Sequence, residues 1–240
     1  VKKENEPDRP LSVIGHLHAL RGHVLRSFFG FVFSFVVAFY FSDTLLIWLR
    51  RPFSGDLVFL SPAEPLWTIL KISGFSGLFM AVPLFVYEGW RFVGPGLLPE
   101  ERRAVLPFLF LIPLCFMLGI AFCYWIAFPF AIRFLIAYGG QYHLVPQISI
   151  SMYIDFHLKL LLAFGVIFEL PAMMLICSKL GFLTQDFFRR NRKIAMLIAF
   201  IMAAVLTPTP DIFNQCLMAI PLILLYEIGI IVIGLGSGKK

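Results

Sequence analysis

Twenty-nine consecutive uncharged residues, Ala104 to Ile132, set the terms on which this chain can fold. A helix needs about 20 mainly apolar residues to cross a hydrocarbon core about 30 Å thick. Lipid offers no partner to backbone N–H and C=O groups, so such a run is read as a transmembrane helix. Five further apolar segments accompany it: Ser27–Leu49, a stretch from SPAEPLW to about Trp90, Met152–Ser178, Ile194–Leu206 and Ile212–Ile233. A composition 60% hydrophobic and 14% charged stands well above the roughly 45–50% apolar content of a soluble domain. The expectation is an all-α polytopic membrane protein with six transmembrane helices.

Residues Val1–Pro10 are charged, aperiodic and contain two prolines, which reads as a disordered tail. His16, Leu17, Leu20, Val24 and Leu25 then recur at helical spacing beside Arg21, His23 and Arg26, the pattern of a short amphipathic helix lying in the interface before the first span. A polar stretch thus precedes the first apolar run, which is expected to act as its own insertion signal. Span one should end at Arg50–Arg51–Pro52, and span two should admit Lys71 by snorkelling and bend at Pro83. Span three should leave the membrane near Pro129, with Arg133–Ile150 forming a long loop. Thirteen apolar residues in span five give only about 20 Å of helix. That short span is expected to thin the bilayer or to draw its connecting turn below the surface. A single six-span domain over residues 11–236 and a tail at 237–240 complete the organisation.

Lysine and arginine fix the orientation. Five precede the first span, three lie in the 91–103 loop, five in the 179–193 loop and two at the C-terminus, against Arg50, Arg51 and Arg133 in the opposite loops. The asymmetry predicts both termini on the cytoplasmic side. It also accounts for the net charge of +6 without nucleic acid as a partner.

Glu169 is the one ionisable residue between Lys159 and Lys179 and stands at the midpoint of span four. An acid at that depth costs roughly 2.5–3.5 kcal/mol on insertion scales, so it faces protein or water and marks a functional site. Pro171 follows two positions later, and Gly165 and Ala172 share its helical face, giving a small, polar, bent surface. The alternative is a structural glutamate, protonated or paired with a neighbouring span.

Other constellations are weaker. Cys115, Cys123, Cys177 and Cys216 lie in apolar runs with no CxxC pair and no histidine at ligand spacing, so neither metal nor disulfide is expected. Gly74-Phe75-Ser76-Gly77 resembles the GxSG motif of rhomboid proteases, with His157 on span four the candidate base, but the order of the spans counts against a dyad. No Walker loop, GxGxxG or HExxH occurs, and no cofactor is expected. Pro99, Glu100 and Glu101 suit the first turn of a helix. As acids on a basic face, the two glutamates also suit a ligand carrying arginines, which pair with carboxylates through two parallel hydrogen bonds. Asp211 reads as an N-cap, and Glu64 and Glu227 are open on chemistry alone.

In order along the chain, His16-Leu17 with Leu20-Arg21, SPAEP at 61–65, GPGLLPEERR at 94–103, FGVIFELP at 164–171, LTPTPDIFNQ at 206–215 and IPLILLYEIG at 220–229 resemble TatC, the multispan receptor subunit of the twin-arginine protein translocase. The resemblance runs from His16 to Gly229. It implies six spans in a concave arrangement in the cytoplasmic (inner) membrane, working in several copies. It further implies a non-enzymatic receptor that binds signal peptides bearing two adjacent arginines and, with single-span TatA and TatB partners, exports folded proteins using the proton-motive force. Glu101 matches the loop glutamate that receives the arginine pair, with Glu100, Arg21, Leu20 and His16 grouped at the same surface. Glu169 matches the glutamate that meets the partner helices, while Glu64, Asp211, Gln215 and Glu227 fall in family motifs. The chain departs from the usual HLxELRxR opening at Ala19 and His23. Ala19 removes a carboxylate, and Glu100 is the neighbouring charge available in its place. The rival reading from chemistry alone is a proton-coupled secondary carrier with Glu169 as its coupling site.

Overall fold

The computed structural model describes residues 13–53, 55–142, 146–206 and 212–237. The expected tail at 1–10, the N-cap Asp211 and residues 238–240 lie outside them. Five helical stretches are long and apolar enough to cross a membrane: Leu20–Tyr40, Glu64–Gly96, Pro99–Gly140, Ile150–Lys179 and Ile212–Leu235. The remaining expected span is α10 (Arg192–Leu206), a helix of 15 residues and so about 22 Å long. It is short, as the apolar count required.

Helix α1 (Val13–Tyr40) differs from expectation: the amphipathic segment and the first span are one unbroken helix. Gly22 costs a helix interior only about 1 kcal/mol, and Arg26 Nε donates to the Gly22 carbonyl at 3.1 Å. The chain breaks instead at Phe41, and α2 (Ser42–Arg50) begins with Asp43 in its first turn, where an acid complements the helix dipole. After the β1 segment (Leu57–Val58), α3 (Glu64–Val93) runs through Pro83 and packs antiparallel along α1.

A helix opens at Pro99 as α4 (Pro99–Val105) and continues as α5 (Phe108–Phe122). The chain does not leave the helical path near Pro129. Cys123–Ala127 form a wide π-helical turn, closed by Phe128 N donating to Cys123 O, and α6 (Phe128–Gly140) follows with Pro129 in its first turn. The wide turn absorbs the donor that proline lacks, so the first part of the expected loop, Arg133–Gly140, is helix.

Helix α7 (Ile150–Ile167) is the central element, with a larger share of its length buried than any other span. Tyr153, Ile154, Leu158, Leu161 and Phe164 pack against Ile72 and Phe79 of α3, Phe116 of α5 and Phe128 of α6. Its start is tied to the beginning of α3, since β1 pairs in parallel with β2 (Ile148–Ser149). α8 (Leu170–Lys179) ends at Gly181, whose φ of 76° suits a residue without Cβ. α9 (Gln185–Arg190), α10 and α11 (Ile212–Ser237) complete the chain. A second, small core of Met174, Phe188, Ile230 and Ile233 joins α8, α9 and α11.

Candidate functional site

Helices α7 and α8 are separated by a single turn at Phe168–Glu169, so the bend expected of span four falls at the carboxylate itself. Phe168 N donates to Phe164 O at 3.0 Å and Glu169 N to Val166 O at 3.1 Å, a tightening to i−3 spacing. Pro171 then occupies the first turn of α8, where no backbone donor is needed. Gly165 and Gly119 make room for the bend: a Cβ on Gly165 would meet the Phe116 ring at 2.6 Å, and one on Gly119 would meet the Phe164 carbonyl carbon at 2.9 Å.

Both Glu169 carboxylate oxygens are shielded from water, and among the described residues no hydrogen bond of ordinary geometry reaches either of them. Glu169 lines an apolar groove of about 660 Å³ between α7–α8, α10 and α11, with Met173, Met196, Met202, Leu222 and Glu227 along its walls. Arg192 Nη2 pairs with Glu227 Oε2 at 2.7 Å beside it, and Gln215 Nε2 donates to Phe200 O, holding α11 to α10. Glu227 and Gln215 thus build the α10–α11 hairpin that forms one wall. Flexible, polarizable methionine side chains adapt their shape to what lies against them.

The sequence model of the family described as "Sec-independent protein translocase protein (TatC)" matches residues 15–221. The chain belongs to the TatC family. It is similar to the Sec-independent protein translocase protein TatC of Carboxydothermus hydrogenoformans, 39% identical over 228 residues that cover 94% of this chain and 93% of the relative. The TatC of Aquifex aeolicus is 40% identical over 231 residues, covering 94% and 95%. A crystal structure titled "Twin Arginine Translocase Receptor- TatC" superposes with a TM-score of 0.80 at 39% identity, covering 92% of this chain and 99% of that one. A second, solved in DDM, gives 0.81 at 40% identity, covering 91% and 99%.

TatC is a protein translocase component and not a catalyst, and the supposed protease dyad has no geometry to argue otherwise. His157 is wholly buried and stacks on Phe128 with ring centroids 3.6 Å apart. Among the described residues, no hydrogen bond joins it to Ser76.

The remaining candidates divide by role. Glu64 is structural: it accepts from Leu60 N at 2.6 Å, from Ser151 N at 3.0 Å and from the Ser149 hydroxyl, locking the loop before α3 to the start of α7. Beside it, Lys71 does not reach for an interface but binds Asp155 at 2.8 Å and Ser151 Oγ at 3.1 Å. Glu101 Oε2 accepts from Leu98 N at 3.0 Å in the first turn of α4, the capping role open to it from sequence. Glu100, Leu20 and Arg21 are exposed, and among the described residues neither Glu100 nor Arg21 has an ion-pair partner. His16 lies in α1, and its side chain is outside the described residues.

Sequence reasoning missed Glu88. It is 4% exposed near the end of α3, with His23 Nδ1 at 2.6 Å, Arg26 Nη1 at 3.5 Å and Arg91 Nη1 at 3.9 Å. An acid inside the last turns of an apolar span was the available signal. Its partners on α1 are more than sixty residues away, beyond any local pattern.

Proposed function

We propose that this chain is the receptor component of a twin-arginine translocation system in the inner membrane, with both termini cytoplasmic. Its basic end offers Glu101 and Glu100 from α4, and Leu20, Arg21 and His16 from α1, to signal peptides bearing paired arginines. Glu169 meets the polar side chain of a single-span TatA- or TatB-type partner in the apolar groove. The assembled complex, in several copies, moves folded proteins at the expense of the proton-motive force.

The observation that carries this reading is the Glu169 carboxylate, shielded from water with no well-formed hydrogen bond among the described residues and facing a groove large enough for a helix face. An unpaired charge in such a place costs several kcal/mol, and a second molecule bringing a donor offsets that cost. Membership of a protein translocase family supplies the class of partner. Glu100, exposed and without an ion-pair partner among the described residues, on a face otherwise rich in lysine and arginine, supports the arginine-reading role, because guanidinium and carboxylate match in a bidentate geometry that lysine does not reproduce.

The test is photocrosslinking of a labelled twin-arginine signal peptide, beside its Lys-Lys version, to the full chain in bilayers. Stronger labelling by the arginine peptide, reduced by Glu101→Gln, is the expected result. Equal labelling by both peptides, unchanged by the substitution, overturns the recognition role.

A further inference from the structure

We infer that the end of α2 and the groove beneath it form a seat for an anionic phospholipid, with the phosphate on Arg50 and Arg51 and an acyl chain between α2, α3, α5 and α7. The groove holds about 300 Å³, and its walls include Leu45 of α2, Ser76 of α3, Met117 and Ala121 of α5 and Leu161 of α7. Trp48, Tyr124 and Trp125 form its rim. Leu45 lies one turn before Trp48 and Met117 two turns before Tyr124, so the groove runs about 10 Å inward from the aromatic rings. That is roughly two thirds of one leaflet of a hydrocarbon core about 30 Å thick.

Specific contacts hold the rim in place. The Tyr124 hydroxyl donates to the Trp48 carbonyl at 2.9 Å, and its ring stacks on the indole with centroids 5.7 Å apart. Tyr124 belongs to the wide π-helical turn, a feature frequent at functional sites. Trp48 and Trp125 remain 48% and 69% exposed, as suits aromatic rings at the level where headgroups meet hydrocarbon.

The groups over that rim are cationic. The Arg51 guanidinium stands 5.3 Å over the Trp48 ring, and Arg50 is the last residue of α2. Stacking occupies the flat face of a guanidinium and leaves its in-plane N–H fork for a phosphate, which it matches in bidentate fashion. Both arginines are exposed, and among the described residues neither has a carboxylate partner. Arg133 is the one other lysine or arginine in the loops expected on that side. The orientation rule works against basic residues there, so an adjacent pair points to a bound anion. A free phosphate would leave the apolar groove empty, and a zwitterionic headgroup would bring its own cation to the arginines. An anionic phospholipid satisfies both parts, and the bilayer supplies it at this depth.

The experiment adds phosphatidylglycerol or phosphatidylcholine of the same chain length to the full chain in detergent and counts lipid adducts by native mass spectrometry. The proteins are wild type, Arg50→Gln/Arg51→Gln, Ala121→Leu, which narrows the groove, and Arg189→Gln/Arg190→Gln, which removes two exposed arginines from α9 as a control for net charge. Wild type is expected to hold phosphatidylglycerol roughly three- to tenfold more tightly than phosphatidylcholine. That preference should vanish in the Arg50/Arg51 variant and persist in the control, while Ala121→Leu weakens both lipids severalfold. Glycerol 3-phosphate, which carries the phosphate without the chains, should not displace the lipid. Equal binding of the two lipids by wild type overturns the seat, as does a preference that survives Arg50→Gln/Arg51→Gln or falls equally in the control. Displacement by glycerol 3-phosphate, or binding indifferent to Ala121→Leu, removes the groove from the site. A dimer that excludes lipid and is lost in Ala121→Leu gives the groove to a second copy of the chain and refutes the lipid assignment.

Discussion

Gly119 of α5 lies directly under the carbonyl of Phe164 on α7, so close that a Cβ at Gly119 would stand 2.9 Å from the carbonyl carbon and 3.0 Å from the Gly165 Cα. One turn away Gly165 returns the contact, with the Phe116 ring where its own Cβ would be. The two helices meet almost backbone to backbone, immediately before the bend that presents Glu169.

Gly119→Ala is expected to destabilise more than Gly165→Ala. The first presses a methyl group on backbone, which cannot turn aside, and overpacking of this kind costs about 1–3 kcal/mol. The second presses on the edge of the Phe116 ring, which can rotate. Thermal unfolding of the purified variants in detergent should give that order; the reverse order would mean that α5 slides more freely than the ring turns.

Glu64 gathers three donors from two separate parts of the chain, Leu60 N before α3 and Ser149 and Ser151 around the start of α7. Glu64→Ala should release the 51–63 loop, raising its rate of cleavage by an added protease, while Glu64→Gln, which keeps one acceptor oxygen, should fall between. Indistinguishable cleavage of all three proteins would show that β1–β2 pairing holds the loop unaided.

Glu169→Leu should stabilise the isolated chain while abolishing its partner contact. Removing an unpartnered buried carboxylate worth about 1 kcal/mol or more raises the unfolding midpoint by about 2 °C or more in a protein of this size. Crosslinking of a single-span partner from a photoreactive residue at Met173 should be lost in the same variant. A lowered midpoint would place the carboxylate's partner inside this chain and remove the argument for the groove.

The sites legible beforehand were those with a local signature. Glu169 stood out because one charge sat in the middle of an apolar run with a proline two residues on, and the bend indeed falls there. Lys71 and Glu88 were equally charged and equally within apolar helices, yet their meaning depended on Asp155, eighty-four residues away, and on His23, sixty-five away. The loop expected from Arg133 failed for a related reason: a π-helical turn before Pro129 lets the helix continue to Gly140.

Apolar run lengths and one central acid were enough, without coordinates, to determine a polytopic helical protein with a short helix at Arg192–Leu206 and a candidate site at Glu169. Those features act over a few turns, and lipid leaves a chain so little choice that local pattern decides element type. Which charges are neutralised and which stay open was decided only by tertiary structure. Glu64, Glu88 and Glu227 are each matched by side chains or backbone from elsewhere in the sequence, whereas the shielded Glu169 carboxylate has no well-formed hydrogen bond among the described residues. A carboxylate's role follows from what lies within about 3 Å of it, and only the packing of α1 on α3, α3 on α7 and α10 on α11 brings those partners to hand.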